Sequence, residues 1–130
     1  MSGRVLRLQG SVLARVRRED RHTTLELRPA FIIKSEQMPG VDPGTLWTQD
    51  VDLVFREAAW RANQLVPDGM EIIGGNITLN GITHLDLLPM PLNLPGNIEL
   101  EIKGEAGDFA VAGEHFDLRA LGVGKYTHHE

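Results

Sequence analysis

Apolar and polar residues alternate over much of this 130-residue chain. A period of two constrains its fold more than any other feature, because only a strand puts every second side chain on one face. The first 34 residues read as a hairpin. Leu6, Leu8, Val12, Ala14 and Val16 share one face of the first run, and Arg7, Arg15 and Arg17 share the other. After the polar turn Arg18-Glu19-Asp20-Arg21, Leu25, Leu27, Phe31 and Ile33 alternate with Glu26, Arg28 and Lys34. Pro29 lacks an N–H for a ladder, so it marks an edge or a bulge. Residues 35–47, with Pro39-Gly40 and Asp42-Pro43-Gly44, are expected as a loop.

Residues 50–66 are expected as the one amphipathic helix. Val51, Val54, Phe55, Ala58, Ala62 and Leu65 recur at helical spacing, and Asp50 and Asp52 fall where carboxylates favour a helix N-terminus. Leu53 and Trp60 then project on the opposite, narrower apolar face, beside Arg56, Glu57 and Gln64. Pro67-Asp68-Gly69 ends the helix.

From residue 70 onward the pattern returns to strands: 70–73, 76–80 and 82–88, separated by Gly74-Gly75 and by the tight-turn pair Asn80-Gly81. The segment from Pro89 to Gly96 carries three prolines and is expected to be irregular. Ile98, Leu100 and Ile102, then Phe109 and Val111, then Phe116, Leu118 and Ala120 suggest three closing antiparallel strands with Glu99, Glu101 and Asp117 outward. The expected architecture is α+β: a curved, mostly antiparallel sheet of seven to eight strands with the helix packed on it. An all-β barrel with one helix is the alternative. One domain is expected over residues 1–121, with 122–130 a poorly ordered tail.

The chain has no cysteine, which excludes disulfides, thiolate metal sites and a cysteine nucleophile. It has no secretion-type apolar segment and no run long enough to span a bilayer, so a cytoplasmic location is expected. Charge is divided unevenly. Residues 1–34 hold eight Lys/Arg against three Asp/Glu, a net of +5, and residues 35–130 hold five against fifteen, a net of −10. The arginine face of the hairpin invites a nucleic-acid reading, but it carries no aromatic residue for base stacking and the rest of the chain is acidic. Pairing of those arginines with carboxylates in the same sheet, or with the acidic face of a second copy, explains the division more simply.

Few residues point to catalysis. His84-Leu85-Asp86 and His115-Phe116-Asp117 each place imidazole and carboxylate on one strand face. His84, Asp86 and His115 would make a 2-His-1-carboxylate metal site if their strands were neighbours. Such residues are equally ordinary on a half-exposed sheet, and no cofactor is expected.

The stretch Leu88-Pro89-Met90-Pro91-Leu92-Asn93-Leu94-Pro95, followed by Ile98-Glu99-Leu100-Glu101-Ile102 and Gly107-Asp108-Phe109-Ala110-Val111-Ala112-Gly113, resembles the closing strands of bacterial lipid-binding domains of the tubular lipid-binding (TULIP) type. The resemblance implies a helix lying along a strongly curved sheet, with lipid in the gap. This chain is short for that fold and lacks the export signal often seen there.

The leading expectation is therefore a non-catalytic binding protein. It would hold an apolar small molecule or lipid between Val54, Phe55, Ala58 and Ala62 of the helix and Leu85, Leu87, Leu100 and Ile102 of the sheet. The alternative is an acidic protein-interaction module of the inhibitor or immunity type, or a homo-oligomer, using Leu53, Trp60, Arg7, Arg15, Arg17, Glu99 and Glu101 against a partner. Near Trp60, the apolar segment Met90-Pro91-Leu92 and Trp47 would extend that patch, unless the 35–47 loop covers the ring. A metal-dependent enzyme built on the H-x-D residues stands third.

Overall fold

The structure, a computed structural model, describes residues 3–35, 44–62, 66–90 and 92–129. Ten strands follow one another: β1 (Gly3–Arg7), β2 (Val12–Glu19), β3 (His22–Ser35), β4 (Thr45–Arg56), β5 (Ala59–Ala62), β6 (Met70–Leu79), β7 (Ile82–Leu85), β8 (Leu87–Met90), β9 (Leu92–Gly104) and β10 (Gly107–His129). Every pairing is antiparallel. Six strands close a ring in which β2 pairs with β3, β3 with β4, β4 with β10, β10 with β9, β9 with β6, and β6 again with β2. Closure removes the sheet edges that a flat sheet of these strands would leave open. β1 extends the barrel along the far half of β3, β8 pairs with β1, β5 with β10 and β7 with β6.

No helix is present among the described residues, which overturns the expected α+β class and the helix over 50–66. Residues 50–56 lie in β4 and 59–62 in β5, while Gln64 and Leu65 fall outside the described residues. The reason lies in an overlap of two periods. Val51, Phe55 and Ala58 fit a helical stripe, but Val51, Leu53 and Phe55 also alternate, and all three are fully buried. Leu53, the residue a helix would turn away from its main face, is 0% exposed. β4 lies between β3 and β10, and two ladders of hydrogen bonds plus a shared core outweigh its local helical preference. The run ends where Glu57 takes a left-handed φ of 49°, and the next N–H, of Ala58, donates to the Arg21 carbonyl at 2.8 Å.

The barrel interior is filled by side chains from every ring strand, including Leu13, Leu25, Leu53, Ile77, Leu100 and Val111. Phe55 and Phe116, paired across β4 and β10, meet in it with ring centroids 4.9 Å apart. Two partly buried tryptophans pack against this core. Trp60 stacks on Phe109 at 4.7 Å with Arg18 over its other side, and Trp47 meets Tyr126 edge-on at 5.4 Å with Lys34 above it.

Several expected turns and breaks have direct counterparts. Asn80 and Gly81 form the two-residue turn between β6 and β7, both with positive φ. Register shifts between Leu27 and Ala30, so the ladder is interrupted around Pro29. Buried Ser11 secures the break between β1 and β2: its hydroxyl donates to the Arg7 carbonyl at 2.7 Å and accepts the Phe31 N–H at 3.0 Å. Other boundaries differ. The proline segment expected to be irregular supplies β8 and the start of β9, with Pro91 outside the described residues. The last two of the three expected closing strands are one strand, β10, whose pairing with β4 continues to His129 opposite Thr45. No described helix is long and apolar enough to cross a membrane.

Candidate functional site

Register aligns the hairpin's arginines with carboxylates across the outside of the barrel. Arg15 on β2 stands opposite Glu26 on β3, Glu26 opposite Asp52 on β4, and Asp52 opposite Arg119 on β10. Arg15 donates to Glu26 at 2.9 Å, Arg17 donates to the same carboxylate oxygen, and Arg28 donates to Asp52 at 2.8 Å. Arg119 closes on Asp117 at 2.5 Å. Burial pushes the Glu26 carboxyl up, but hydrogen bonds from Arg15 and Arg17 outweigh it and hold the group below the usual carboxylate range. The hydrogen bond to Glu26 raises Arg17 in turn. The basic face is thus largely satisfied within the chain, through Glu26 and Asp52 more than through the carboxylates of the last strands.

On the opposite part of the wall, β6, β9, β10 and β5 curve into an open cleft of about 590 Å³. Gly74 leaves its floor bare, the buried Ile102 and Phe109 lie beneath it, and Arg61, Glu101, Lys103 and Asp108 stand around it. Two transverse rows lead across this surface from β7. One is Leu85, Asn76, Glu101, Ala110 and Arg61; the other is Thr83, Thr78, Glu99, Ala112 and Ala59. Arg61 bonds Glu99 at 2.7 Å, and the Thr78 and Thr83 hydroxyls lie 2.9 Å apart. Glu71 and Glu105 meet at the turn end of this face, where the Glu71 N–H donates to the Glu105 carboxylate at 3.3 Å. Five carboxylates therefore stand against two cations, Arg61 and Lys103.

The margin of this face is apolar. Ile82 and Leu85 on β7 are 66% and 74% exposed, and Leu87 on β8 is 41% exposed. Folding normally hides such side chains, and Ile82 and Leu85 project from opposite faces of β7. β7 and β8 part at Asp86, which has a positive φ of 62°. Its N–H donates to the Gly75 carbonyl, its carbonyl accepts from Leu8, and its carboxylate accepts from the Gln9 N–H, each at 2.9 Å.

The residues expected to line an apolar gap are distributed differently. Phe55, Leu100 and Ile102 are in the core, Val54 is half-buried on the outer row between Thr24 and Asp117, and Ala58 packs against the core beyond the end of β4. Ala62 pairs with Phe109 across β5 and β10. Leu85 and Leu87 are on the outside, so the set does not converge on one cavity. Among the proposed partner contacts, Leu53 is core, Trp60 is half-buried against Phe109, and Arg7 lies over the Phe31 ring at 5.0 Å. Arg15 and Arg17 are committed to Glu26, while Glu99 and Glu101 belong to the cleft face. His84 is on β7 and His115 on β10, with β6 and β9 between them, so they do not meet; no His, Asp or Glu cluster among the described residues can hold a metal. His115 Nδ1 is buried without a hydrogen-bond partner, opposite Pro95 and Arg56.

Comparison with protein-family models, curated proteins and solved structures finds no match to this chain. Its site must be read from its own residues. Sequence reasoning missed Ile82 as an exposed apolar residue and Asp86 as the point where two strands separate. The signal was there in Asn80-Gly81, because a two-residue turn fixes which residues of β7 face which way.

Proposed function

We propose that this protein is a non-catalytic interaction module that docks a segment of another protein on the outer face of β7, β6, β9 and β10. The observation that carries the reading is Leu85, 74% exposed at the end of a row that continues through Asn76 and Glu101. An apolar anchor beside an acidic field suits a partner that offers both apolar and basic side chains. Covering one such leucine contributes about 1.5–3 kcal/mol, and the carboxylates add orientation and encounter rate more than affinity. Among the described residues no helix forms a gap against the sheet for an apolar ligand, and the interior is occupied by Phe55, Phe116 and their neighbours.

Fluorescence anisotropy with a labelled peptide of alternating lysine and valine tests this reading. Saturable binding that weakens as salt rises, and that is lost in Leu85→Asp and reduced in Glu101→Lys, is the expected result. Absence of saturable binding, or binding indifferent to both substitutions, contradicts it.

A further inference from the structure

We infer that the partner segment binds as an added β-strand on the open edge of β7; this rests on the docking reading above and specifies its geometry. The Asn80-Gly81 turn makes Leu79 and Ile82 the first hydrogen-bonded pair of the hairpin. Alternation then makes Ile77 and His84 the next such pair, while Thr78 with Thr83 and Asn76 with Leu85 are non-hydrogen-bonded pairs. The Asp86 N–H bond to the Gly75 carbonyl continues this phase. Thr83 and Leu85 consequently direct their N–H and C=O groups away from β6. On that side no strand pairs with β7 among the described residues, because β8 leaves at Asp86 to follow β1.

An edge of this kind is a template for another chain. β5 and β8 also pair on one side only among the described residues; what sets β7 apart is that Ile82 and Leu85 stand 66% and 74% exposed on it, against 41% for Leu87 of β8. The exposed side chains of Ile82 and Leu85 project from opposite faces of the same strand, so an incoming strand would find an apolar contact on each side. The occupant is argued from charge. Glu99 and Glu101 lie on the two rows that pass through Thr83 and Leu85, and the wider face adds Glu71, Glu105 and Asp108 against Arg61 and Lys103. A second copy of this chain, with a net charge of −5, would bring like charges together. An extended segment carrying basic and apolar residues suits the open edge in shape and the field of this acidic face in charge, Glu99 and Glu101 standing two strands in from β7 and acting at a distance rather than by contact.

Amide hydrogen exchange on the full chain, followed by NMR with and without the lysine–valine peptide, tests the inference. Saturation should slow exchange at Thr83 and Leu85 by about tenfold or more, with little change at Ile82 and His84, whose amides already bond to β6. Thr83→Pro removes one outward donor without touching the β6 ladder, and should abolish peptide binding while the melting temperature stays close to that of the parent. If that variant fails to fold, exchange on the unaltered protein decides. Binding that remains sensitive to Leu85→Asp while Thr83 and Leu85 exchange unchanged would overturn strand addition and leave the docking surface standing. No binding at all would remove both. Protection of Thr83 and Leu85 that rises with protein concentration, without peptide, would give the edge to a second copy and overturn the basic-segment assignment.

Discussion

Lys34 Nζ lies 3.8 Å from the centre of the Trp47 ring, and at the other end of the β3–β4 pair Arg18 stands 5.6 Å from that of Trp60. Each indole packs on the core and carries a cation over its ring.

Trp60→Ala should therefore cost stability before it costs binding. Truncating a half-buried indole that stacks on Phe109 is expected to lower the unfolding free energy by about 2–3 kcal/mol, below the range for fully buried tryptophans. Urea denaturation measures the loss, and anisotropy with the lysine–valine peptide should show affinity unchanged. Lost affinity with stability intact would make Trp60 a partner contact.

Glu26 gives the fold a definite acid limb. Its folded pKa lies below its ordinary value of 4.5, so the stability it contributes is fully present above that pH and disappears as pH falls through the lower folded value. Glu26→Gln should lose about 1–2 kcal/mol at neutral pH, a figure kept low because Arg15 and Arg17 remain partly solvated. The gap between parent and variant should narrow below pH 4.5. Denaturation midpoints measured across that window check both statements.

Gly74 and Gly75 are adjacent in sequence and opposite in tolerance. A Cβ at Gly75 would collide with the Glu101 carbonyl oxygen and press on Ile102 and Leu8, whereas a Cβ at Gly74 meets nothing within 4 Å. Gly75→Ala is expected to destabilise by about 1–3 kcal/mol and Gly74→Ala by less than about 0.5 kcal/mol. Thermal unfolding of the two variants distinguishes them. Gly74→Ala also adds a methyl group to the cleft floor, so any effect on peptide binding reports the surface rather than the fold.

Much of the sheet was legible because its local rules agree. The alternation of Leu25 and Leu27 with Glu26 and Arg28 placed the first half of β3 with its faces the right way, but beyond the register shift at Pro29 the core side passes to Ala30 and Ile32 instead of Phe31 and Ile33; Asn80-Gly81 placed the β6–β7 turn. β4 was not legible, since Val51, Phe55 and Ala58 satisfy a helical period as well as an alternating one. The decision came from β3 and β10 on either side, a relationship between distant segments that no local window contains. The candidate site was harder for a related reason. Leu85 looked like any strand residue, and its exposure follows from its place on the outer row with Asn76 and Glu101, a consequence of the β6–β7 register.

The central claim is that binding takes place on the outer wall and its β7 margin while the interior stays closed. Two-dimensional NMR of the full chain titrated with the lysine–valine peptide tests it most directly. Saturable shifts confined to residues 74–85 and 99–110, with the signals of Leu53, Phe55 and Phe116 unmoved, are the predicted result. Shifts centred on those core residues, or on the Arg15–Glu26–Asp52 face, would contradict it.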